Sequence, residues 1–314
     1  MDIPFIDKQA LYRLLPYNQL IPALKEAFQQ DYVIPQRHHH DYQNPTETVD
    51  STLLLMPAWQ VGTYLGVKIV TVHPNNSQYN LPAVQGIYIL SDAVKGMPLA
   101  YLEAKTLTTL RTAAASALAS SFLSRPDSDS LLMIGTGAMA PELIKAHATI
   151  RPIKKVFVWG RNYEKAIQVQ IALQNQPFEI QAVKTINSII SKVAIISCAT
   201  FSETPLVLGD YLVPGQHIDL VGSFKPDMRE ADDSVIHRSK LYVDVIEGAT
   251  KETGDLVIPL KTGLISIEDI QGDLFSLCRA EIVGRNNNHS ITCFKSVGYA
   301  LEDLAAAKLA FEAL

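Results

Sequence analysis

The stretch SLLMIGTGAMAPELIKAHATI, residues 130–150, decides the fold. An apolar run, SLLMI, leads into Gly135-Thr136-Gly137-Ala138-Met139-Ala140 and then into a helical pattern. This is a G-x-G-x-x-A turn. The first glycine permits a tight bend, and the second lets the backbone approach a pyrophosphate at the positive end of the helix. Alanine in the third place still allows close packing of helix on strand. The turn predicts dinucleotide binding at Gly135, Gly137, Ala138 and Met139. A tight turn in an α/β domain that binds nothing would carry the same letters. What favours a cofactor is a strand, a helix and a second strand at the right spacing.

Reading downstream, KKVFVWGR (154–161) is the second strand and NYEKAIQVQIALQNQ (162–176) the second helix. FEIQAV (178–183), KVAIISCAT (192–200), HIDLVGS (217–223) and KLYVDVI (240–246) are further strands. Near-continuous apolar strands separated by helices predict a parallel sheet covered on both faces, an α/β, doubly wound, Rossmann-type domain. Past the second strand, an NAD site usually carries an acidic residue for the ribose 2′-hydroxyl. Here Trp159-Gly160-Arg161-Asn162 stands instead. An arginine neutralises a 2′-phosphate, so NADP(H) is expected in preference to NAD(H), with Arg161 and Asn162 meeting the adenosine ribose. The competing reading leaves Arg161 facing solvent.

Upstream, YNQLIPALKEAFQQ (17–30) has helical spacing, and residues 51–56, 64–72 and 85–91 read as strands. TLTTLRTAAASALASSFLS (106–124) is a long Ala- and Leu-rich helix. The polar segment RPDSDS after it marks the domain boundary, and a last helix runs from Ser296 to Glu312. In this first half Lys68 interrupts an apolar strand and Arg111 an apolar helix, while Arg37 opens a polar loop. Each has a plain explanation as an internal salt bridge or an exposed face. His38, His39 and His40 would alternate faces on a strand, so no metal site is expected.

Composition narrows the function. The 314 residues are 47% apolar and 19% charged with a net charge of −5, which fits a compact globular chain and not a nucleic-acid or membrane binder. Cys198, Cys278 and Cys293 form no CxxC pair, which fits a reducing, cytoplasmic setting. No signal peptide or membrane span is expected.

Across essentially its whole length the chain resembles the ornithine cyclodeaminase/μ-crystallin family. The resemblance rests on Pro35-x-Arg37, Gly66-Val67-Lys68, Leu81-Pro82-Ala83-Val84-Gln85-Gly86 and Gly96-x-Pro98. It continues in Leu107-Thr108-x-x-Arg111-Thr112-Ala113-Ala114-x-Ser116-Ala117-Leu118-Ala119 and in the glycine turn. Gly222-Ser223-x-x-Pro226-x-x-Arg229-Glu230 and Phe294-Lys295-Ser296-x-Gly298 complete it.

The resemblance implies a Rossmann domain (126–295) and a discontinuous α+β substrate and dimerisation domain (1–125 with helix 296–314), assembled as a homodimer. It implies that Arg37, Lys68 and Arg111 hold a substrate carboxylate, with Lys68 and Arg111 at the catalytic centre. Ala199, Thr200, Ser223 and Thr292 would add cofactor contacts. One position departs from the pattern. Cyclodeaminases and an archaeal alanine dehydrogenase of the family carry an aspartate where this chain has Phe224. The surroundings are more similar to the imine-reducing members, which implies NAD(P)H-dependent reduction of a small cyclic ketimine carboxylate, Δ1-pyrroline-2-carboxylate to L-proline. The alternatives are an ornithine cyclodeaminase or amino-acid dehydrogenase with a displaced proton carrier such as Asp227, and a μ-crystallin-like binding protein.

Overall fold

The computed structural model describes residues 3–45 and 49–314. In chain order the first elements are β1 (Phe5–Ile6), α1 (Lys8–Leu14), α2 (Tyr17–Gln29), β2 (His38–Tyr42), β3 (Ser51–Trp59), β4 (Tyr64–Val72), β5 (Val84–Asp92), β6 (Pro98–Glu103) and α3 (Ala104–Leu123). Then come β7 (Ser130–Ile134), α4 (Met139–Ile150), β8 (Lys155–Trp159), α5 (Tyr163–Ala172), β9 (Glu179–Val183), β10 (Ile195–Cys198), β11 (His217–Leu220) and α6 (Asp233–Arg238). The last are β12 (Ser239–Val243), α7 (Ile246–Glu252), α8 (Gly254–Thr262), β13 (Ile270–Asp273), α9 (Leu274–Cys278), β14 (Ile291–Lys295) and α10 (Ala300–Glu312). The chain divides into two compact units, residues 1–112 with 299–314 and residues 113–298.

The first unit is a six-stranded sheet ordered β1-β6-β5-β4-β3-β2, antiparallel except for the β1–β6 pair. Helix α2 buries Leu20, Ile21, Leu24, Ala27 and Phe28, one stripe at helical spacing, and α10 packs on α2 and on β3, β4 and β5. Helix α10 is rich in alanine, so it is buried nearly all round. That burial takes Glu302 and Asp303 out of water with the apolar residues. On β4 the covered row is Gly66, Lys68 and Val70. Lys68 lies in register between Met56 of β3 and Tyr88 of β5. Gly66 has a steric reason to be glycine, because a Cβ there would lie 1.9 Å from the Tyr88 hydroxyl.

The second unit is an all-parallel eight-stranded sheet ordered β13-β12-β14-β11-β10-β7-β8-β9. Near-continuous burial along β7, β10, β11 and β14 fits strands covered on both faces. The chain runs from β7 outward through β8 and β9, then returns to the other side of β7 as β10. The switch point therefore lies between β7 and β10, where doubly wound sheets bind ligands. Two of the eight strands, β13 and β14, are absent from the sequence reading. β14 is the more consequential omission, since it sits inside the sheet between β12 and β11.

The break between the units also differs from expectation. It falls at Thr112–Ala113, inside α3, and not at the RPDSDS segment. The end of α3 is tied into the second unit. The Phe122 carbonyl accepts from Arg285 N, and the Leu123 carbonyl from Arg285 Nε and Thr292 Oγ1. The last helix starts at Ala300 instead of Ser296 because Asp244 Oδ2 holds Val297 N and Gly298 N, each at 2.7 Å, in a non-helical turn. Among the described residues, no helix is long and apolar enough to cross a membrane.

Candidate active site

Two sets of residues carry chemistry, one in each unit. In the second unit the carboxyl edge of the sheet is defined by Ile134, Cys198, Leu220 and Lys295, which lie side by side in register. The glycine turn leaves this edge from β7. Gly135 has φ of +120°, a region that L side chains avoid, and its N–H donates to the Trp159 carbonyl at 2.9 Å. A Cβ on Gly135 would meet the Ala199 carbonyl oxygen at 2.4 Å, so β7 and the end of β10 are in close contact at the switch point. At Gly137 a Cβ would meet nothing within 4 Å. Ala138 precedes α4 and supplies no side-chain cap, so the first backbone N–H groups of α4 have no capping side chain. An open backbone cradle before an uncapped helix suits a pyrophosphate, and these residues fit a dinucleotide.

Arg161 and Asn162 follow β8 and are both exposed. Asn162 caps α5: its Oδ1 accepts from Glu164 N at 3.0 Å and from Lys165 N at 3.4 Å, leaving its amide nitrogen outside these bonds. Ala199 and Thr200 leave β10 at the same edge. Ser223 lies in the loop after β11, where its hydroxyl donates to the Met228 carbonyl and pairs with Thr253. Thr292 must be corrected. It is the second residue of β14, opposite His217 at the amino edge of the sheet, three residues before Lys295. At about 3.3 Å per residue it lies roughly 10 Å from the carboxyl edge. Its hydroxyl is spent on the Leu123 carbonyl, His217 and Arg285.

The Gly222 motif is explained by Glu230, which the sequence reading gave no role. Glu230 accepts from Thr200 N (2.6 Å), Thr200 Oγ1 (2.9 Å) and Gly222 N (2.7 Å), clamping the loops that follow β10 and β11. Burial pushes its carboxyl up to about 6, with Lys295 pulling it back and Asp255 adding to the rise. Lys295 and Asp255 are themselves buried and lie 3.4 Å apart. Phe224 lies in the same loop, 47% exposed, with its ring edge-on to Phe201 at 5.8 Å.

In the first unit, Lys68 and Arg111 converge on one residue, Asp303 of α10. Lys68 Nζ donates to Asp303 Oδ2 at 2.7 Å and to Thr108 Oγ1 at 3.3 Å. Arg111 Nε donates to Asp303 Oδ1 at 2.9 Å, and its Nη1 to Glu302 Oε2 at 2.5 Å. All four side chains are buried. Burial lowers the Lys68 ammonium to about 8. Asp303 opposes that fall, while Arg111 and Arg37 reinforce it, so the three cations share one electrostatic neighbourhood. Burial alone would raise Asp303, but Arg111 and Lys68 outweigh it and hold the carboxyl below its ordinary range. The internal salt bridge offered as the plain explanation of Lys68 and Arg111 is therefore present. Arg111 keeps its Nη2 group and Lys68 one N–H outside these bonds. Glu302 and Asp303 were missed because nothing in the spacing links them to Lys68. The available signal was an acidic pair at the start of an Ala- and Leu-rich helix.

The chain matches the sequence model of the "Ornithine cyclodeaminase/mu-crystallin family" over residues 8–314. It is 35% identical to a Δ1-pyrroline-2-carboxylate reductase of Colwellia psychrerythraea, with 98% of each chain covered. A solved Δ1-pyrroline-2-carboxylate reductase of Thermococcus litoralis, in complex with NADH and L-proline, superposes with a TM-score of 0.92 at 33% identity, covering 99% of this chain and 97% of that one. An archaeal alanine dehydrogenase dimer with bound NAD superposes with a TM-score of 0.91 at 26% identity, covering 100% of this chain and 96% of that one. By sequence and by fold, the chain belongs to the ornithine cyclodeaminase/μ-crystallin family.

Proposed function

We propose that this chain is an NAD(P)H-dependent oxidoreductase that reduces the C=N bond of a small cyclic ketimine carboxylate, Δ1-pyrroline-2-carboxylate, to L-proline. The carrying observation is the convergence of Lys68 and Arg111 on Asp303, with Arg37 in the same electrostatic neighbourhood. Lys68 and Arg111, each with a donor outside these bonds, suit a carboxylate. Bound NAD(P)H supplies the hydride, which goes to the ring carbon of the imine. The ring nitrogen, protonated from solvent, keeps its proton. The chain's task is binding and orientation. Lys68, Arg111 and Arg37 hold the carboxylate. Gly135, Gly137, Ala138 and Met139 cradle the pyrophosphate, and Ala199, Thr200 and Ser223 complete the cofactor edge. The dimeric alanine dehydrogenase relative supports a homodimer, with the first unit as the substrate and dimerisation domain.

Cyclodeamination of L-ornithine requires a group that manages protons at the amine before and after hydride transfer. Phe224, an exposed ring, has no proton to give or take. Purified protein should therefore oxidise NADPH or NADH with Δ1-pyrroline-2-carboxylate and release little or no ammonia from L-ornithine and NAD. Ammonia release at a rate comparable to imine reduction would return the assignment to a cyclodeaminase. Arg161 supports a preference for NADPH, since it stands exposed where an NAD site would place an acid. Arg161→Asp should shift the ratio of kcat/KM from NADPH toward NADH and leave the melting temperature nearly unchanged. An unaltered ratio would place Arg161 outside the adenosine pocket.

A further inference from the structure

We propose that Asp303 is the positioning residue of the substrate site: with one carboxylate oxygen on Lys68 Nζ and the other on Arg111 Nε, it fixes both the spacing and the orientation of the two cations that grip the substrate carboxylate. This rests on the reductase reading above and deepens it.

Lysine and arginine have long, rotatable stems, and a bound carboxylate is recognised only if both heads are already in place. Asp303 has a short side chain on α10, a helix that packs against β4, the strand that carries Lys68. It uses both oxygens, is fully buried, and so has one available geometry. It takes one edge of the Arg111 fork at Nε, Glu302 takes Nη1, and Nη2 is left for a ligand.

Asp303 also governs charge. The groups facing it are Lys68 from β4, Arg111 from α3, Tyr88 from β5 and its own neighbour Glu302; Arg37 acts on Lys68. Burial, with Asp303 adding to it, raises the Tyr88 phenol well above its ordinary value, so Tyr88 stays neutral in the working range. Arg111 is raised and stays charged, Asp303 and Glu302 outweighing its burial. Lys68, held at about 8, is the group whose charge depends on Asp303. Without that carboxylate, burial together with Arg111 and Arg37 drives the ammonium lower still, and a neutral amine has no charge to offer a carboxylate.

Pyrrole-2-carboxylate is the probe, because it carries the planar ring and carboxylate but no ring nitrogen that titrates near neutrality. For the wild type its Kd should rise as pH passes about 8. Asp303→Asn should raise that Kd at pH 7 by about tenfold or more, the loss of one charge-assisted contact. It should also move the alkaline rise to lower pH by about one unit or more, as expected when a carboxylate partner is removed. NADPH affinity should not change. An Asp303→Asn Kd within about twofold of wild type, with the alkaline rise unmoved, would overturn the proposal. Asp303→Glu is the second variant. It keeps the charge, so its alkaline rise should stay near the wild-type position while the displaced geometry weakens binding several-fold. Wild-type affinity in this variant would equally overturn the proposal. A wild-type protein that neither binds the probe nor reduces the imine would sink the reductase reading itself, a distinguishable outcome.

Discussion

Arg111→Ala should lower the melting temperature by on the order of 10 °C and raise KM for the imino acid by about tenfold or more. The stability effect follows from what the substitution leaves behind. Arg111 pairs with both Glu302 and Asp303, Asp303 being shared with Lys68, and neither carboxylate reaches water. Breaking a buried pair by removing one partner costs about 3–5 kcal/mol, because the remaining charge is stranded. The KM effect follows from one lost charge-assisted hydrogen bond to the substrate, about 1.5–3 kcal/mol. The two effects separate by pH. Asp303 has a lowered pKa in the folded protein, so the stability it confers is present above the ordinary aspartate value near 4 and is lost as pH falls through the folded value. The gap in stability between wild type and Arg111→Ala should therefore be wide at pH 7 and shrink below about pH 4. Thermal unfolding of both proteins across that range is the measurement. A variant with wild-type stability at pH 7 would show that Arg111 does not carry these acids.

Arg111 also marks the limit of what the chain discloses on its own. An arginine inside an Ala-rich helix signals a buried partner, but the partner's identity does not follow. Asp303 is 192 residues from Arg111 and 235 from Lys68, and no spacing rule connects residues so far apart. The glycine turn behaves differently, since strand, bend and helix are adjacent in the chain and their chemistry is local. The same contrast explains Thr292. Its family resemblance is a matter of letters, whereas its distance from the cofactor edge depends on where β14 begins and ends. ITCFK is five residues long, contains Thr, Cys and Lys, and has no alternation to mark it as a strand, although all five residues are buried. With β14 unseen, Thr292 could not be assigned to the amino edge. The domain boundary departs from the RPDSDS segment for a related reason. Polar, proline-containing RPDSDS is a good linker by composition, but the hydrogen bonds to the Phe122 and Leu123 carbonyls that tie the end of α3 to the second unit come from residues beyond position 284.

The second large effect concerns the two glycines of the turn, which should fail in different ways. Gly135→Ala places a side chain on a residue with φ of +120°, which costs about 1–3 kcal/mol, and drives its Cβ to 2.4 Å from the Ala199 oxygen. The surrounding backbone has little room to yield. Gly135 N is bonded to Trp159, and Ala199 N to Ile134, each at 2.9 Å, so the ends of β8, β7 and β10 are locked together. Relief requires the turn or the β10 loop to shift, and both belong to the proposed cofactor cradle. NADPH affinity should fall roughly a hundredfold, about 2.7 kcal/mol, and the melting temperature should fall with it. Gly137→Ala is the contrasting case. Apart from its two chain neighbours, no atom of the described residues lies within 4 Å of the added methyl group, so the fold should keep its melting temperature. The space that the methyl group fills is the approach of the backbone to the pyrophosphate, and NADPH affinity should still drop by about tenfold or more, some 1.4 kcal/mol. Fluorescence titration with NADPH beside thermal unfolding reads both quantities on each variant. Unchanged binding by a stable Gly137→Ala protein would remove the dinucleotide from this turn, since only a ligand gives that methyl group anything to collide with.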